Sequence, residues 1–386
     1  MDFGLTEEQQ AIQDTARKFA REKIAPDFQK REETGVIERD LVKEMGTLGL
    51  VAGDLPEAYG GLGINGVTAG LIMEEVSYAD LNVSYIQLLN TLNGRIIVDH
   101  ARPEVAQAWA PKIVAGDMVI ALGLTEPRGG SDAAHLQLQA ERSGNAEFVL
   151  NGEKTSISLS DQADAIVLFA RTDKDEPGAR GISAFLVSLE AAGISRTRFS
   201  DLGSQAVGRG SLFFESVRVP AENMLGEEGQ GFRQVMQGFD YSRALIGLMC
   251  LGAARASLDE SWAYISEREA FGAPLAQYQG VSFPLAEAET MWKAARHICY
   301  ETLWLRDQGL PHTSEAAMAK WLAPKASVDI IHQCLLSHGH AGYSKDLPHQ
   351  QRLRDVMGLE IGDGTAQIMK LIVAREKVGR AAVQYG

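Results

Sequence analysis

Val119-Ile120-Ala121-Leu122, running directly into Gly123-Leu124-Thr125-Glu126-Pro127-Arg128-Gly129-Gly130-Ser131-Asp132, marks the change of period on which the fold turns. Four apolar residues of strand length meet a loop with a proline, a glycine pair and several hydroxyl and acid side chains. On its N-terminal side apolar residues recur at helical spacing; on its C-terminal side they come in short runs bounded by turn residues.

Toward the N-terminus, Thr6 and Gln9 form a capping-box pattern, and Ile12, Ala16, Phe19 and Ala20 follow at helical spacing until Pro26 closes the run. Further helices are predicted over 38–48, 67–79 and 83–100, interrupted by the Pro- and Gly-rich 55–63 segment. Toward the C-terminus, strand-length runs cover 147–150, 165–171, 182–187 and 212–219, with Asn151-Gly152 read as a hairpin turn and 175–178 and 191–193 as connections. No helix of useful length separates these runs, which excludes a doubly wound nucleotide fold. From Gly231 the helical period returns over 231–268, 281–308, 314–338 and 365–383, enough for a four-helix bundle, with Pro284 placed near the first turn of its helix. The expectation is a multidomain α+β chain: a helical domain over 1–119, a β-barrel-like domain over 120–228 and a helical bundle over 229–386. No repeat at solenoid period is present.

The 386 residues, 45% hydrophobic and 23% charged, suit an ordered globular protein with a large core. A net charge of -14 argues against nucleic acid or an anionic membrane as partner, since both require a basic surface. Cys250, Cys299 and Cys334 are odd in number without CxxC spacing, as expected of buried reduced thiols. Met1-Asp2-Phe3-Gly4-Leu5 does not read as a signal peptide, and no apolar run approaches the ~18 residues of a membrane span. A cytoplasmic protein is expected.

Two stretches invite a chemical reading. The backbone N–H groups of the 122–132 loop could receive phosphate or flavin oxygens, and its small residues would admit a planar ring; the same composition also suits a surface turn. Asp363, in Ile361-Gly362-Asp363-Gly364-Thr365, could project a desolvated carboxylate as a general base, although aspartate between glycines is also a common turn or cap. His332, His338 and His340 lack acid or cysteine partners at a familiar ligand spacing, so no metal is expected and they read as loop or interface histidines. The 296–304 stretch reads as bundle core.

Taken in succession, Pro56-Glu57-Ala58-Tyr59-Gly60-Gly61, Leu124 to Asp132, Asn151-Gly152-Glu153-Lys154, Gly181 to Val187, Val217-Arg218-Val219-Pro220, Arg268-Glu269-Ala270-Phe271-Gly272 and Asp363-Gly364-Thr365 resemble the acyl-CoA dehydrogenase family along essentially the whole chain. The resemblance implies a helical, β, helical order, FAD held between β domain and bundle, a homotetramer, and an electron-transferring flavoprotein as acceptor. Leu122, Leu124, Thr125 and Ser158 match flavin-ring positions, Gly130 and Ser156 stand beside them, and Ser131 matches a residue shared by cofactor and CoA. Arg268, Phe271 and Gln279 match residues that reach a neighbouring subunit's FAD; Thr365 and Gln367 match FAD contacts, and Leu336 and His340 occupy two more such positions. Asp240 and Arg243 match acyl-CoA contacts, while Leu88, Leu89 and Leu92 fall where the acyl pocket is lined. Asp363 occupies the place of the base that removes the pro-R α-proton as the β-hydride passes to flavin N5. Its N–H and a ribityl hydroxyl would polarise the thioester oxygen.

Several positions depart from the family. Gly362-Asp363 replaces the usual tyrosine-glutamate, Ser156 a usual tryptophan, Leu336 a usual glutamine and His340 a usual glycine. The 240–243 segment, where some relatives carry the base, holds no glutamate. Gly362 would widen the pocket, between it and Gly364, for a cyclic or α-substituted acyl group. The combination is similar to cyclohexanecarboxyl-CoA dehydrogenases, implying conversion of cyclohexane-1-carboxyl-CoA to cyclohex-1-ene-1-carboxyl-CoA. The alternatives are a 2-methyl-branched acyl-CoA substrate, a nitroalkane-oxidase-like flavoprotein oxidase, and a relative that has lost catalysis.

Overall fold

The computed structural model describes residues 4–176 and 178–383, so Met1-Asp2-Phe3 and Pro177 of the 175–178 connection lie outside the described residues. Helix α1 (Glu7–Phe19) opens with the reciprocal capping box expected: Gln9 N–H donates to Thr6 Oγ1 and Thr6 N–H to Gln9 Oε1, both at 3.1 Å. Pro26 does not end this run. A π-turn over Ala20–Ile24 and a 3-10 turn over Ala25–Asp27 place the proline at the start of a new turn, where its missing N–H costs least. The chain then continues as α2 (Phe28–Thr34) and stops at Gly35, whose φ of 70° suits glycine.

Helices α3 (Arg39–Thr47), α4 (Gly66–Ala79) and α5 (Leu81–His100) lie close to their expected spans, and α6 (Pro103–Val114), which the sequence reading lacked, opens on a proline. Asn65 and Asp80 cap α4 and α5 through side-chain oxygens that accept from Thr68 N–H and Asn82 N–H. Both helices are buried around most of their circumference, which marks them as interior elements.

The central strands are β1 (Ile120–Gly123), β2 (Gln139–Ser143), β3 (Glu147–Ile157), β4 (Ala165–Arg171), β5 (Ile182–Ser188), β6 (Ile194–Arg196), β7 (Gly210–Pro220) and β8 (Met224–Leu225). They form two four-stranded halves, β1-β4-β5-β8 and β2-β3-β7-β6, joined through the single pair Gln139–Arg171. β4 and β5 are buried on both faces, as continuous apolar runs require. Asn151-Gly152 is not a hairpin turn: both residues lie inside β3, at a bulge in its pairing with β7. Gly152 has φ 142°, a Cβ there would meet Leu138 Cα at 2.9 Å, and Asn151 Oδ1 accepts from Ser216 N–H at 2.8 Å. The turn between β2 and β3 instead contains Gly144, at φ 65°.

The C-terminal helices are α7 (Gly231–Glu267), α8 (Gln279–Asp307), α9 (Thr313–Ser337), α10 (His349–Gly358) and α11 (Ala366–Val378), with a hairpin of β9 (Glu269–Ala270) and β10 (Ala273–Pro274) after α7. α7, α8 and α9 pack on one another, α10 and α11 pack on α9, and α4 and α5 cover α7. The bundle therefore carries an extra short helix and shares α7 with the N-terminal helices. Pro284 lies inside α8 because the helix starts earlier than expected, at Gln279. Gly247 makes close packing possible, since a Cβ there would stand 2.6 Å from Cys299 Sγ. All three cysteines are buried free thiols; burial pushes Cys250 and Cys334 up to about 12 and raises Cys299 as well.

Candidate active site

Asp363 sits in the turn between α10 and α11 with φ 55°, a left-handed conformation that aspartate tolerates better than most residues. The turn is held from beneath. Lys320 of α9, buried to 1% exposure, donates through Nζ to the carbonyls of Leu359 at 2.7 Å and Gly364 at 3.1 Å, one on each side of Asp363. Thr365 caps α11 by accepting from Ile368 N–H at 3.4 Å. Burial raises the Asp363 pKa above the ordinary aspartate value, opposed by the positive charges of Lys320 and Arg243. A carboxylate held partly desolvated between two cations is suited to accepting a proton.

Asp240 and Arg243 lie one turn apart on α7. Arg243 Nη1 donates to Asp240 Oδ1 at 2.9 Å, and Asp240 Oδ2 accepts from Thr313 at 2.6 Å. Arg243 is 5% exposed, yet its Nε has no hydrogen-bond partner, an orphan that a carbonyl oxygen of a bound ligand would satisfy. Tyr85 of α5 is within electrostatic reach of Asp363. Leu88, Leu89 and Leu92 continue the same face of α5 at helical spacing but are enclosed in the core, leaving Tyr85 as the half-buried member of the stripe. Beside Asp363, Gly362 is exposed, and a Cβ built there would meet only Gly358 O at 3.6 Å.

The 122–132 loop is anchored by a buried ion pair that the sequence reading passed over. Lys154 Nζ donates to Leu124 O at 3.0 Å and to Glu126 Oε1 at 2.8 Å, while the Glu126 carboxylate accepts Gln137 N–H at 2.6 Å and Leu138 N–H at 2.9 Å. Burial lowers the Lys154 pKa to about 8 against the pull of Glu126. The loop so fixed leaves Leu122 and Thr125 half-exposed and Gly130 and Ser131 open; a Cβ at Gly130 would meet only Thr125 Cγ2, at 3.9 Å. Ser158 and Ser156 border it, Ser156 with φ 59° and its hydroxyl accepting from Arg209 Nη1 at 3.1 Å. Arg209 is itself held by both oxygens of Asp201. An apolar strand end flanked by hydroxyls and an open glycine cradle fits one face and edge of a flavin ring.

Other expected residues lie on the surface of the chain. Arg268 precedes the β9–β10 hairpin, and Phe271-Gly272 form its tip with φ 50° and 79°, a type I′ geometry that leaves the Phe271 ring 99% exposed. Gln279, Leu336, His340 and Gln367 are exposed as well. His338 is instead buried, stacked on Tyr264 at 4.2 Å and tilted against His349 at 4.3 Å between ring centroids, which makes it, of the two readings given, an interface histidine and not a loop one. Among the described residues, no group of three or more His, Cys, Asp or Glu is arranged to hold a metal ion, and no helix is long and apolar enough to cross a membrane. In the 296–304 stretch, Arg296 and Tyr300 bind the buried Glu74 of α4, consistent with packing. A polar cavity of about 260 Å³ lies between α1, α4, α7 and α8 and shares no residue with this site.

The chain was compared with known proteins on this basis. Family models described as the N-terminal, middle and C-terminal domains of acyl-CoA dehydrogenase match residues 6–117, 121–217 and 229–378. The mitochondrial short-chain specific acyl-CoA dehydrogenase of Mus musculus is 36% identical over 96% of this chain and 90% of its own length. Butyryl-CoA dehydrogenase from Megasphaera elsdenii superposes with a TM-score of 0.94 at 31% identity, covering 98% of this chain and 100% of that one. A solved chain described under the electron transferring flavoprotein of Acidaminococcus fermentans superposes with a TM-score of 0.95 at 34% identity, again covering 98% and 100%. With three domain models matched in order and relatives of this identity aligned end to end, the chain belongs to the acyl-CoA dehydrogenase family of FAD-dependent oxidoreductases.

Proposed function

We propose that this enzyme dehydrogenates a compact, α-substituted acyl-CoA at its α,β bond, with cyclohexane-1-carboxyl-CoA as the substrate and Asp363 as the base. The observation that carries the reading is the Asp363 turn: a carboxylate between Lys320 and Arg243, beside the open volume at Gly362. The Asp363 carboxylate takes the α-proton. Arg243 Nε and the backbone N–H of the turn stand ready for substrate oxygen, and Asp240 holds the guanidinium through Nη1. Bound FAD supplies the acceptor for the β-hydride, so that the two hydrogens leave as a proton and a hydride and a carbon–carbon double bond remains. Leu122, Leu124, Thr125, Gly130, Ser131, Ser156 and Ser158 would hold the flavin on one side, with Thr365 and Gln367 on the other.

The same reading divides the chain into domains at 1–119, 120–228 and 229–386 and makes it a homotetramer. Arg268, Phe271 and Gln279 would then serve the FAD of an adjacent subunit, and Leu336 and His340 would stand at two further FAD-contact positions. The Phe271 ring at the hairpin tip, exposed and edge-on to Tyr278 at 6.4 Å between centroids, is the surface aromatic that this assembly would cover. An electron-transferring flavoprotein is the proposed acceptor, in keeping with the likeness to the Acidaminococcus fermentans chain.

Anaerobic bleaching of the bound flavin by cyclohexane-1-carboxyl-CoA, 2-methylbutyryl-CoA and butyryl-CoA tests the proposal. Fastest bleaching by the ring thioester, lost in Asp363→Asn, is expected. Preference for the branched open chain would replace the ring substrate, and stoichiometric peroxide from a nitroalkane without an acceptor protein would replace the dehydrogenase reading.

A further inference from the structure

Lys320 stands on the buried stripe of α9, among Ala316, Ala319, Ala323 and Ser327, where a lysine requires a reason. Its ammonium donates to Leu359 O and Gly364 O and thereby closes the 359–364 turn from inside the protein. The residue so enclosed, Asp363, is the non-glycine member of the turn with positive φ, a conformation that persists only where its surroundings impose it. The groups facing Lys320 are Asp363 and Glu360 of the turn and Cys250 and Arg243 of α7; those facing Asp363 are Lys320, Arg243 and Tyr85 of α5.

We infer that Lys320 is a positioning residue for the reaction: through its hydrogen bonds to Leu359 O and Gly364 O it clamps the turn that carries Asp363 and places its ammonium on the inner side of that turn. The ammonium does not touch substrate in this role. Its two hydrogen bonds fix the turn that carries the carboxylate, and its charge, together with that of Arg243, acts against the desolvation that raises the Asp363 pKa. This inference rests on the assignment of Asp363 as base.

The two parts of the role separate by substitution. Lys320→Gln keeps amide N–H donors for the carbonyls and removes the charge; Lys320→Arg keeps the charge and changes the reach. In purified holoenzyme, the pH at which flavin bleaching by acyl-CoA is half-maximal should move upward in Lys320→Gln and stay near its native position in Lys320→Arg. The plateau rate should fall in both, by about 10- to 100-fold, as expected when a catalytic group is displaced by a fraction of an ångström to an ångström. Native pH midpoints and plateau rates in both variants would overturn the inference. If the glutamine variant does not retain flavin, Lys320→Arg decides alone: a reduced plateau at an unchanged midpoint supports the role, and a native plateau overturns it. Asp363→Asn is measured alongside. Normal bleaching in that variant removes the base assignment and this inference with it, whereas a silent Asp363→Asn combined with native behaviour at position 320 removes only the latter.

Discussion

As the proposed base, Asp363 is one methylene shorter than the glutamate usual in the family, so the role assigned to it depends on the turn that presents it. Asp363→Asn should lower the flavin-bleaching rate by about 10²- to 10⁴-fold, the usual contribution of a general base, without releasing FAD. Asp363→Glu should restore part of the rate, because the longer side chain regains reach but sits less comfortably at φ 55°. The pH profile follows from the direction of the shift. Burial raises the carboxyl pKa, and only the ionised form accepts a proton, so kcat/KM should climb with pH through a point above the ordinary aspartate range and flatten beyond it. A midpoint at or below that range would show that the titrating group is not a buried Asp363. Gly362→Tyr addresses the proposed acyl group: it puts a large side chain where a Cβ would meet only Gly358 O, at 3.6 Å, so on the ring-substrate reading the variant should lose activity on cyclohexane-1-carboxyl-CoA more than on butyryl-CoA, by about tenfold or more.

At the scale of elements, the 122–132 loop keeps its shape because Lys154 reaches from β3 to Leu124 and Glu126. Lys154→Met should cost about 3–5 kcal/mol, since it leaves Glu126 buried with its charge uncompensated, and should reduce the flavin retained on purification; chemical denaturation and the flavin-to-protein absorbance ratio check both. α1 was legible because its apolar residues recur at helical spacing behind a capping box, the long buried helices because helix-length stretches run on without turn signals, and β4 and β5 because an unbroken apolar run is the pattern of a doubly covered strand. Asn151-Gly152 misled because the pair favours a two-residue turn, whereas tertiary pairing with β7 draws it into a bulge. β2, β6 and β8 are short and carry little apolar signal, and α10 is largely polar, so neither period exposes them. The glycines flanking Asp363 announce the turn it occupies, whereas the base role proposed for it rests on the resemblance to the family and not on the local pattern. Lys320 left only a faint sign, one charge on an alanine-rich buried stripe, and Glu126 and Lys154 lie 28 residues apart in sequence and meet only through the fold of β1 onto β3.

The whole molecule sets the stability on which these sites rest, and its acid response can be traced to a particular junction. His349 begins α10 and is enclosed by α7 and the end of α9: its Nδ1 lies 3.2 Å from Ser257 Oγ, its ring packs on His338, and Glu260 and Arg352 stand nearby. Burial lowers its pKa to about 4, with Glu260 opposing the shift. The unfolded chain, at an ordinary histidine pKa near ~6.5, therefore binds a proton that the folded chain refuses between about pH 6.5 and 4. Stability from this group is fully present above that window and is lost as the pH falls through it, by roughly 1–2 kcal/mol between pH 6.5 and 5. Asp355, also in α10, works in the opposite direction: burial raises it to about 7, so the folded state holds a proton that the unfolded state releases, and its contribution falls as pH rises from about 4 to 7. The two partly cancel in the native protein, and a flat acid limb would conceal both. Replacing one uncovers the other. In His349→Gln the stability curve measured by chemical denaturation should lose its histidine component, so that stability rises on acidification from pH 6.5 to 5 relative to the native chain. An identical pH dependence in the two proteins would mean that His349 titrates alike in the folded and unfolded chains, its pairing with Glu260 cancelling the cost of burial.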